Sequence, residues 1–393
     1  MPEKLRCWCE PSPIESRFLM KNHFKPHIEK MNRYQTSLGR NLHEGVRLDR
    51  NERVSNFPPE IMMDFFKTFP PYTLNASPEP TVLYEKIARS IGVPREQIYI
   101  TNGITEGIRI LFEILTNPGE NVIVLDPTYP MYWIYAQMYQ VEYRPFKFTE
   151  NLTPDLESLK KGLDQKTAMV MIPNPNLPIE SVFTVEEIRK MAELCQKRGI
   201  ILVVDEAYHF FGAPTALELL KKYDNLVIMR TFSKAYGMAG IRLGFMVSQV
   251  QNIPYLSKTR SLVESNTLSM GAAEYMLDHP EILQAHVKEV SQGAKYVQKE
   301  LTSLRVRWFG GHVTNGILIF LNSEQETTEL ISYMKQKNVY IRGSFQAPYQ
   351  ACVRVSIGPQ AVMEIFVKTL KDWLQQRSQK NISHGNHPSL SRQ

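Results

Sequence analysis

The stretch "TVEEIRKMAELCQKRGIILVVDEAY", residues 184–208, changes its pattern halfway along. Up to Gly199 it reads as an amphipathic helix, with a threonine to cap it, glutamates in the first turn, Lys and Arg near the end and a closing glycine. From Ile200 an unbroken apolar run stops at Asp205, as a strand buried on both faces would. Working outward, similar apolar runs recur as "IYIT" from Ile98, "NVIVL" from Asn121, "AMVMI" from Ala168, "NLVIMR" from Asn225 and "LGFMV" from Leu243. Continuous strands alternating with amphipathic helices predict an α/β fold with a mainly parallel sheet covered on both faces, over residues 51–265.

Beyond it, "MGAAEYMLDHPEILQAHVKEVSQGAKYVQKELTSL" reads as one long helical stretch, and "NGILIFLN", "VYIRG" and "CVRVSIG" read as strands. Segregated helices and strands predict a smaller α+β domain over residues 266–376, joined by the N-terminal segment 1–50. Residues 377–393 are polar and unpatterned, and are expected to form a mobile tail.

The chain has 393 residues, 43% of them hydrophobic, enough to bury a large core. Its charge of +6 is the small excess of 46 basic over 40 acidic residues, with no long basic block, so nucleic-acid binding is not expected. Cys7, Cys9, Cys195 and Cys352 lack metal or redox spacing, which points to a reducing compartment and no metal site. The start "MPEKLRCWCEPSPIE" has no apolar signal core and no run is long enough to span a membrane, so a soluble cytoplasmic protein is expected.

No Walker-type loop, G-x-G-x-x-G after a strand, H-E-x-x-H or G-x-S-x-G occurs. The polar residues that stand out lie where apolar strands end, which is where open α/β sheets bind ligands. Asp205 and Glu206 leave the strand "IILVV", and Tyr208 follows; an acid that caps the next segment is the competing reading. After "NLVIMR", the loop "TFSKAYGMAGIRLGF" gathers Thr231, Ser233, Lys234 and Arg242, a phosphate cradle or a solvated basic loop. After "IYIT", Gly103 to Thr105 open a helix whose N-terminus suits an anion, though a structural turn needs no ligand. Together these sites ask for one ligand with a phosphate, an aldehyde for Lys234 and a basic ring nitrogen for Asp205. Pyridoxal 5'-phosphate has all three.

The stretches "RLDRNE", "TNGITEG", "DPTYPMY", "DEAY", "TFSKAYGMAGIRLGF" and "CVRVSIG" occur in this order over about residues 45–375. With them the chain resembles the fold-type I, class I/II aminotransferases that use pyridoxal phosphate, and within these the histidinol-phosphate aminotransferases. The resemblance implies a large domain with a sheet of the seven-stranded type and a homodimer. It also makes Lys234 similar to the Schiff-base lysine, Asp205 to the partner of the ring nitrogen and Tyr208 to the partner of the phenolic oxygen. Tyr129 matches the aromatic residue stacked on the ring, and Gly103, Ile104, Thr105, Thr231, Ser233 and Arg242 match the phosphate cup. Arg354 is similar to the arginine that grips the substrate's anionic end, and Arg342 to a second one used for substrate phosphate.

Two departures stand out. The family's Asn-Asn-Pro-Thr-Gly turn aligns with "NPNLPIE", residues 174–180, which puts Leu177 where an asparagine holds the cofactor's phenolic oxygen. Leucine donates no hydrogen bond. A lost bond to a charged oxygen is worth about 1.5–3 kcal/mol, enough to raise the pKa of the nitrogen joining Lys234 to the cofactor by roughly one or two units. Near residues 72–84, either Tyr72 or Ser77 aligns with a tyrosine that in the family reaches the partner subunit's cofactor.

The expected activity is amino-group transfer on a small amino compound bearing a carboxylate or phosphate. A second reading keeps the cofactor but makes the enzyme a decarboxylase, lyase or cyclase of an amino acid, such as a phosphorylated amino acid or a hydroxylated arginine. A third makes the chain a cofactor-binding regulator or an inactive binding module. The presence of Lys234, Asp205 and Tyr208 together speaks against the third.

Overall fold

The structure, a computed structural model, describes residues 24–31, 44–343 and 345–385. The chain divides into two compact units, Met1–Thr36 and Ser37–Gln393. The described part of the first is a short helix, Pro26–Lys30, with no buried residue. The packing expected of segment 1–50 falls mostly outside the described residues, as do Cys7 and Cys9.

Among its described residues the second unit has twelve strands: β1 Val46–Leu48, β2 Ile98–Thr101, β3 Asn121–Leu125, β4 Glu142–Phe146, β5 Thr167–Pro173, β6 Ile201–Asp205, β7 Leu226–Thr231, β8 Gly244–Val247, β9 Trp308–Gly310, β10 Gly316–Phe320, β11 Val339–Ile341 and β12 Cys352–Ser356. Seven of them form one sheet in the order β2-β8-β7-β6-β5-β3-β4. Only β8 runs antiparallel to its neighbours. The fold is α/β with a mainly parallel sheet, as the apolar runs imply.

Burial on both faces explains those runs. In β5, Val170 and Ile172 enter one core while Met169 and Met171 enter the other, because successive side chains leave a strand on opposite sides. Helices Thr81–Ile91, Val185–Gln196 and Thr267–Asp278 cover the first face, through Leu83 and Ile87, Ile188 and Cys195, and Met270 and Ala273. Helices Gly103–Leu115 and Met131–Met138 cover the second, through Ile108 and Phe112, and Tyr132 and Tyr135. Helix Val185–Gln196 starts in a capping box of Thr184 and Glu187, and Gly199 behind it takes φ +68.

A third core lies around the antiparallel sheet β12-β10-β9 and the parallel pair β1-β11. Helices Pro280–Ser303, Glu324–Gln336 and Gln360–Gly385 pack into it through Val297, Leu330 and Phe366 among others.

Four details differ from the sequence reading. The strand β4, "EYRPF", escapes notice because it is an edge strand that carries a proline and charges, devices that discourage further pairing. The three-residue strands β1 and β9 are too short to show a period. The long helical stretch is two helices, parted at His279–Pro280, since proline cannot continue a ladder from within. The expected mobile tail is helical as far as Gly385. Its Gln, Arg and Lys residues extend turns already fixed by Phe366, Leu370 and Trp373; residues 386–393 lie outside the described residues.

Candidate active site

Parallel pairing sets Pro173 opposite Asp205 and Asp205 opposite Met229, so β5, β6 and β7 end at one edge of the sheet. Antiparallel β8 begins there, with Gly244 opposite both Thr101 and Thr231. A single cavity at this edge is lined by Ile104, Thr105, Tyr129, Asp205, Tyr208, Thr231, Ser233, Lys234, Arg242 and Arg354. These positions are spread over two hundred and fifty residues of sequence, and the strand order brings them together. Gly103 and Arg342, also singled out in the sequence, do not line it.

One end of the cavity is shaped for an anion. Gly103 has φ +70, and a Cβ there would stand 2.9 Å from Arg242 Nη2. A Cβ on Gly244 would stand 2.9 Å from the Ile104 nitrogen and 2.8 Å from the Arg230 oxygen. Two glycines thus let the start of helix Gly103–Leu115 approach the loop after β7. Arg242, itself at φ +55, donates through Nη1 to Ala239 O at 3.2 Å and to Ser233 Oγ at 3.4 Å. The Ser233 amide donates to Thr231 Oγ1 at 3.0 Å, and Thr105 Oγ1 lies 3.1 Å from Tyr129 Oη. Helix-start amides, three hydroxyls and a guanidinium converge, a donor set for phosphate.

Deeper in, both oxygens of the Asp205 carboxyl are held. Tyr132 Oη donates to Oδ2 at 2.6 Å and the Ala207 amide donates to Oδ1 at 2.9 Å. Burial pushes the Asp205 pKa up to about 6, against the pull of those two bonds and of the Lys234 charge. A carboxyl so placed favours a cationic partner, which would relieve its desolvation. Glu206 turns away instead, into an ion pair with Arg230 at 2.8 Å and bonds from Thr215 and the Ala216 amide. Of the two acids in "DEAY", one faces the cavity and one fastens the scaffold.

Lys234 Nζ stands 5.5 Å from the centroid of the Tyr208 ring and donates to the Asn51 carbonyl at 3.4 Å. Tyr208 Oη accepts from Asn51 Nδ2 at 3.1 Å. Arg354 Nη2 donates to the Asp49 carbonyl at 2.9 Å, which fixes the guanidinium at the cavity wall. Arg342 is exposed, and its main chain pairs with that of Arg354 in both directions, at 3.0 and 2.6 Å. Tyr72 and Ser77 are both exposed and away from the cavity lining.

Leu177 does line the cavity, and it is nearly buried because its methyls lie against Gly316. Sequence reasoning gave no role to Asn51 or Tyr132. Both lie in strings it quoted, "RLDRNE" and "DPTYPMY", yet their partners are 157 and 73 residues away, and no local pattern marks such a pair.

A flat, phosphorylated aldehyde with a basic ring nitrogen matches this arrangement at each point. The anion cradle, the primary amine of Lys234 and the buried Asp205 carboxyl open onto the same cavity, and the two glycines leave room where any side chain would fill the cradle.

The comparisons with known proteins agree. The model of the family "Aminotransferase class I and II" matches residues 67–370. Histidinol-phosphate aminotransferase 1 of Carboxydothermus hydrogenoformans is 31% identical over 277 residues, covering 70% of this chain and 78% of that protein. Histidinol-phosphate aminotransferase of Bacteroides thetaiotaomicron is 29% identical over 362 residues, covering 89% and 97%. Among solved structures, histidinol-phosphate aminotransferase from Sinorhizobium meliloti in complex with pyridoxal-5'-phosphate superposes with a TM-score of 0.81 at 21% identity, covering 90% of this chain and 98% of that one. With the family model spanning most of its length and a lysine, an acid and an anion cradle at one sheet edge, the chain belongs to the class I and II aminotransferases, enzymes dependent on pyridoxal 5'-phosphate.

Proposed function

We propose that the chain moves an amino group to or from a small amino compound that bears a carboxylate or phosphate, with Lys234 as covalent anchor and proton carrier. The observation that carries this reading is that Lys234, Asp205, Tyr208 and Arg354 share one cavity with the anion cradle. When bound, pyridoxal 5'-phosphate supplies an aldehyde carbon that takes the amino group and a ring that accepts the electron pair released at the substrate α-carbon.

Asp205 holds a proton on the ring nitrogen, helped by its own fixed orientation. Thr105, Ser233 and Arg242 would hold the phosphate and Tyr129 would pack against the ring. Tyr208 donates to the phenolic oxygen. Lys234 would be the base that takes the substrate's α-proton and the acid that returns it. Arg354 grips the anionic end of the substrate. Arg342 pairs directly with Arg354 across an antiparallel bridge, so both side chains leave the same face, and Arg342 serves as a second grip for an anion that reaches further out.

The reading includes a homodimer. Met63, Phe66, Tyr72, Leu74 and Leu262 expose large apolar surface, which a second copy would cover. It also includes work in a reducing cytoplasm, which suits the free buried thiols of Cys195 and Cys352.

The test is to supply the loaded enzyme with amino donors, glutamate first and then phosphorylated amino compounds, and to follow conversion of the cofactor to its amino form together with 2-oxo acid or aldehyde product. Release of carbon dioxide or water, with no carbonyl product and no amino form, would replace transfer by the lyase or cyclase reading.

A further inference from the structure

Asn51 lies in the left-handed region, φ +53, and is almost fully buried. Its hydrogen bonds can be ordered by proton counting. The Asn51 main-chain N–H donates to Ser356 Oγ at 2.7 Å, so the serine oxygen is an acceptor there. The serine's single proton is then free for Asn51 Oδ1, 3.1 Å away. With its oxygen committed to Ser356, the amide has one orientation, and its NH2 points at Tyr208 Oη, 3.1 Å away. The Asn51 carbonyl, meanwhile, accepts from Asn315 Nδ2 at 3.0 Å and from Lys234 Nζ at 3.4 Å.

The chain of donors ends at Tyr208. A phenol has one proton and an oxygen that also accepts. With Asn51 donating to that oxygen, the proton of Tyr208 is turned away from Asn51 and toward the cavity the ring lines. Accepting one bond also makes a hydroxyl the stronger donor of the next, since successive bonds polarise one another. Leu177 lines the same cavity, packed on Gly316, and its side chain adds no donor.

We propose that Asn51 is a positioning residue that aims the Tyr208 hydroxyl into the cavity, so that Ser356, Asn51 and Tyr208 together act on the cofactor's phenolic oxygen as one relay beside an apolar wall at Leu177. This rests on the role given to Tyr208 above. The relay tunes the nitrogen that joins Lys234 to the cofactor: a firm donor at the phenolic oxygen favours the negative oxygen and lets that nitrogen lose its proton at lower pH.

The readout is the pH titration of the visible absorbance of the holoenzyme, with no substrate present. Asn51→Gly deletes the amide at a backbone angle that suits glycine, and is expected to raise the midpoint by roughly one pH unit. Tyr208→Phe is expected to raise it by at least as much. In the Tyr208→Phe background, Asn51→Gly should add nothing further. Leu177→Asn should lower the midpoint in the wild type and restore it in Asn51→Gly.

An unchanged midpoint in Asn51→Gly, beside a raised one in Tyr208→Phe, would overturn the relay. So would an Asn51 effect that persists without the Tyr208 hydroxyl. An unchanged midpoint in Tyr208→Phe would instead remove the role of Tyr208 itself. Should Asn51→Gly fail to fold, Ser356→Ala frees the amide to flip, and is expected to raise the midpoint by a smaller amount; no change there would also overturn the proposal.

Discussion

The exits of β5 and β6 are neighbours, with Pro173 directly opposite Asp205, yet they serve opposite ends. The chain leaving β6 keeps Asp205 and Tyr208 on the cavity. The chain leaving β5 turns its polar groups inward on the scaffold. Asn174 pairs with the Phe183 main chain and Asn176 donates to Pro127 O and Ile179 O. Ile179 is buried with Leu318 and Cys352 of the small sheet. Glu180, also buried, accepts from the Gly311, His312 and Val313 amides and from the Thr314 hydroxyl. A place at the carboxyl edge of a parallel sheet thus offers access to a ligand, and the residues that follow the strand decide whether that access becomes chemistry or a fastening.

The widest gap between the two exits should appear in turnover. Asp205→Asn is expected to slow it at least about a thousandfold, ~4 kcal/mol, while Glu180→Gln stays within about tenfold of the wild type; steady-state rates with one donor and acceptor pair would measure both. Equal losses would dissolve the contrast.

The order should reverse for stability. Glu180→Ala strands three amides and a hydroxyl without their charged acceptor, a cost of about 3 kcal/mol, to be read from urea unfolding of the holoenzyme. A loss below about 1 kcal/mol would mean that the fastening is ornamental.

Asp205 should give the β6 exit a pH signature of its own in the cofactor-free protein. Its pKa is about 6 when folded and 3.8 in the reference state, because burial disfavours the charge. Below about pH 4 both states hold the proton; as pH rises from about 4 to 6 the unfolded state releases it first, so stability falls through that window and levels off above it. The whole effect is at most about 3 kcal/mol. Thermal melts of the cofactor-free Asp205→Asn protein should lack the decline and lie above the wild type at pH 7; parallel curves would show that Asp205 bears no such cost.

The smallest effect serves as a calibration. Thr184→Ala removes the capping box that starts the helix after the β5 loop and should cost about 1 kcal/mol in the same unfolding experiment, with no change in turnover.

The same contrast separates what the sequence makes legible from what it hides. Asp205, Lys234 and Arg242 stand in short strings right after apolar strands, so local pattern places them at the sheet edge. Six strands of the large sheet were readable because they are buried on both faces, and β4 was not because it is an edge strand that is largely uncovered. The task of Glu180 was invisible, since its partners lie 131 to 134 residues further on and nothing in "NPNLPIE" foretells a run of amides. Leu177 was readable as a departure, but the reason the wall tolerates it, a glycine at 316 with no side chain to clash, belongs to another sheet.

Asn51 bonds to residues 157, 264 and 305 positions later in the chain. On a ribosome, the large sheet can close once β8 has emerged, but the cavity cannot take its final shape until β12 brings Ser356 and Arg354. Contacts of such separation form late because long loops must close first. The cavity is therefore among the last features of the molecule to be completed, and a nascent chain holding every strand of the large sheet would still lack the Ser356 that holds Asn51 beside Tyr208.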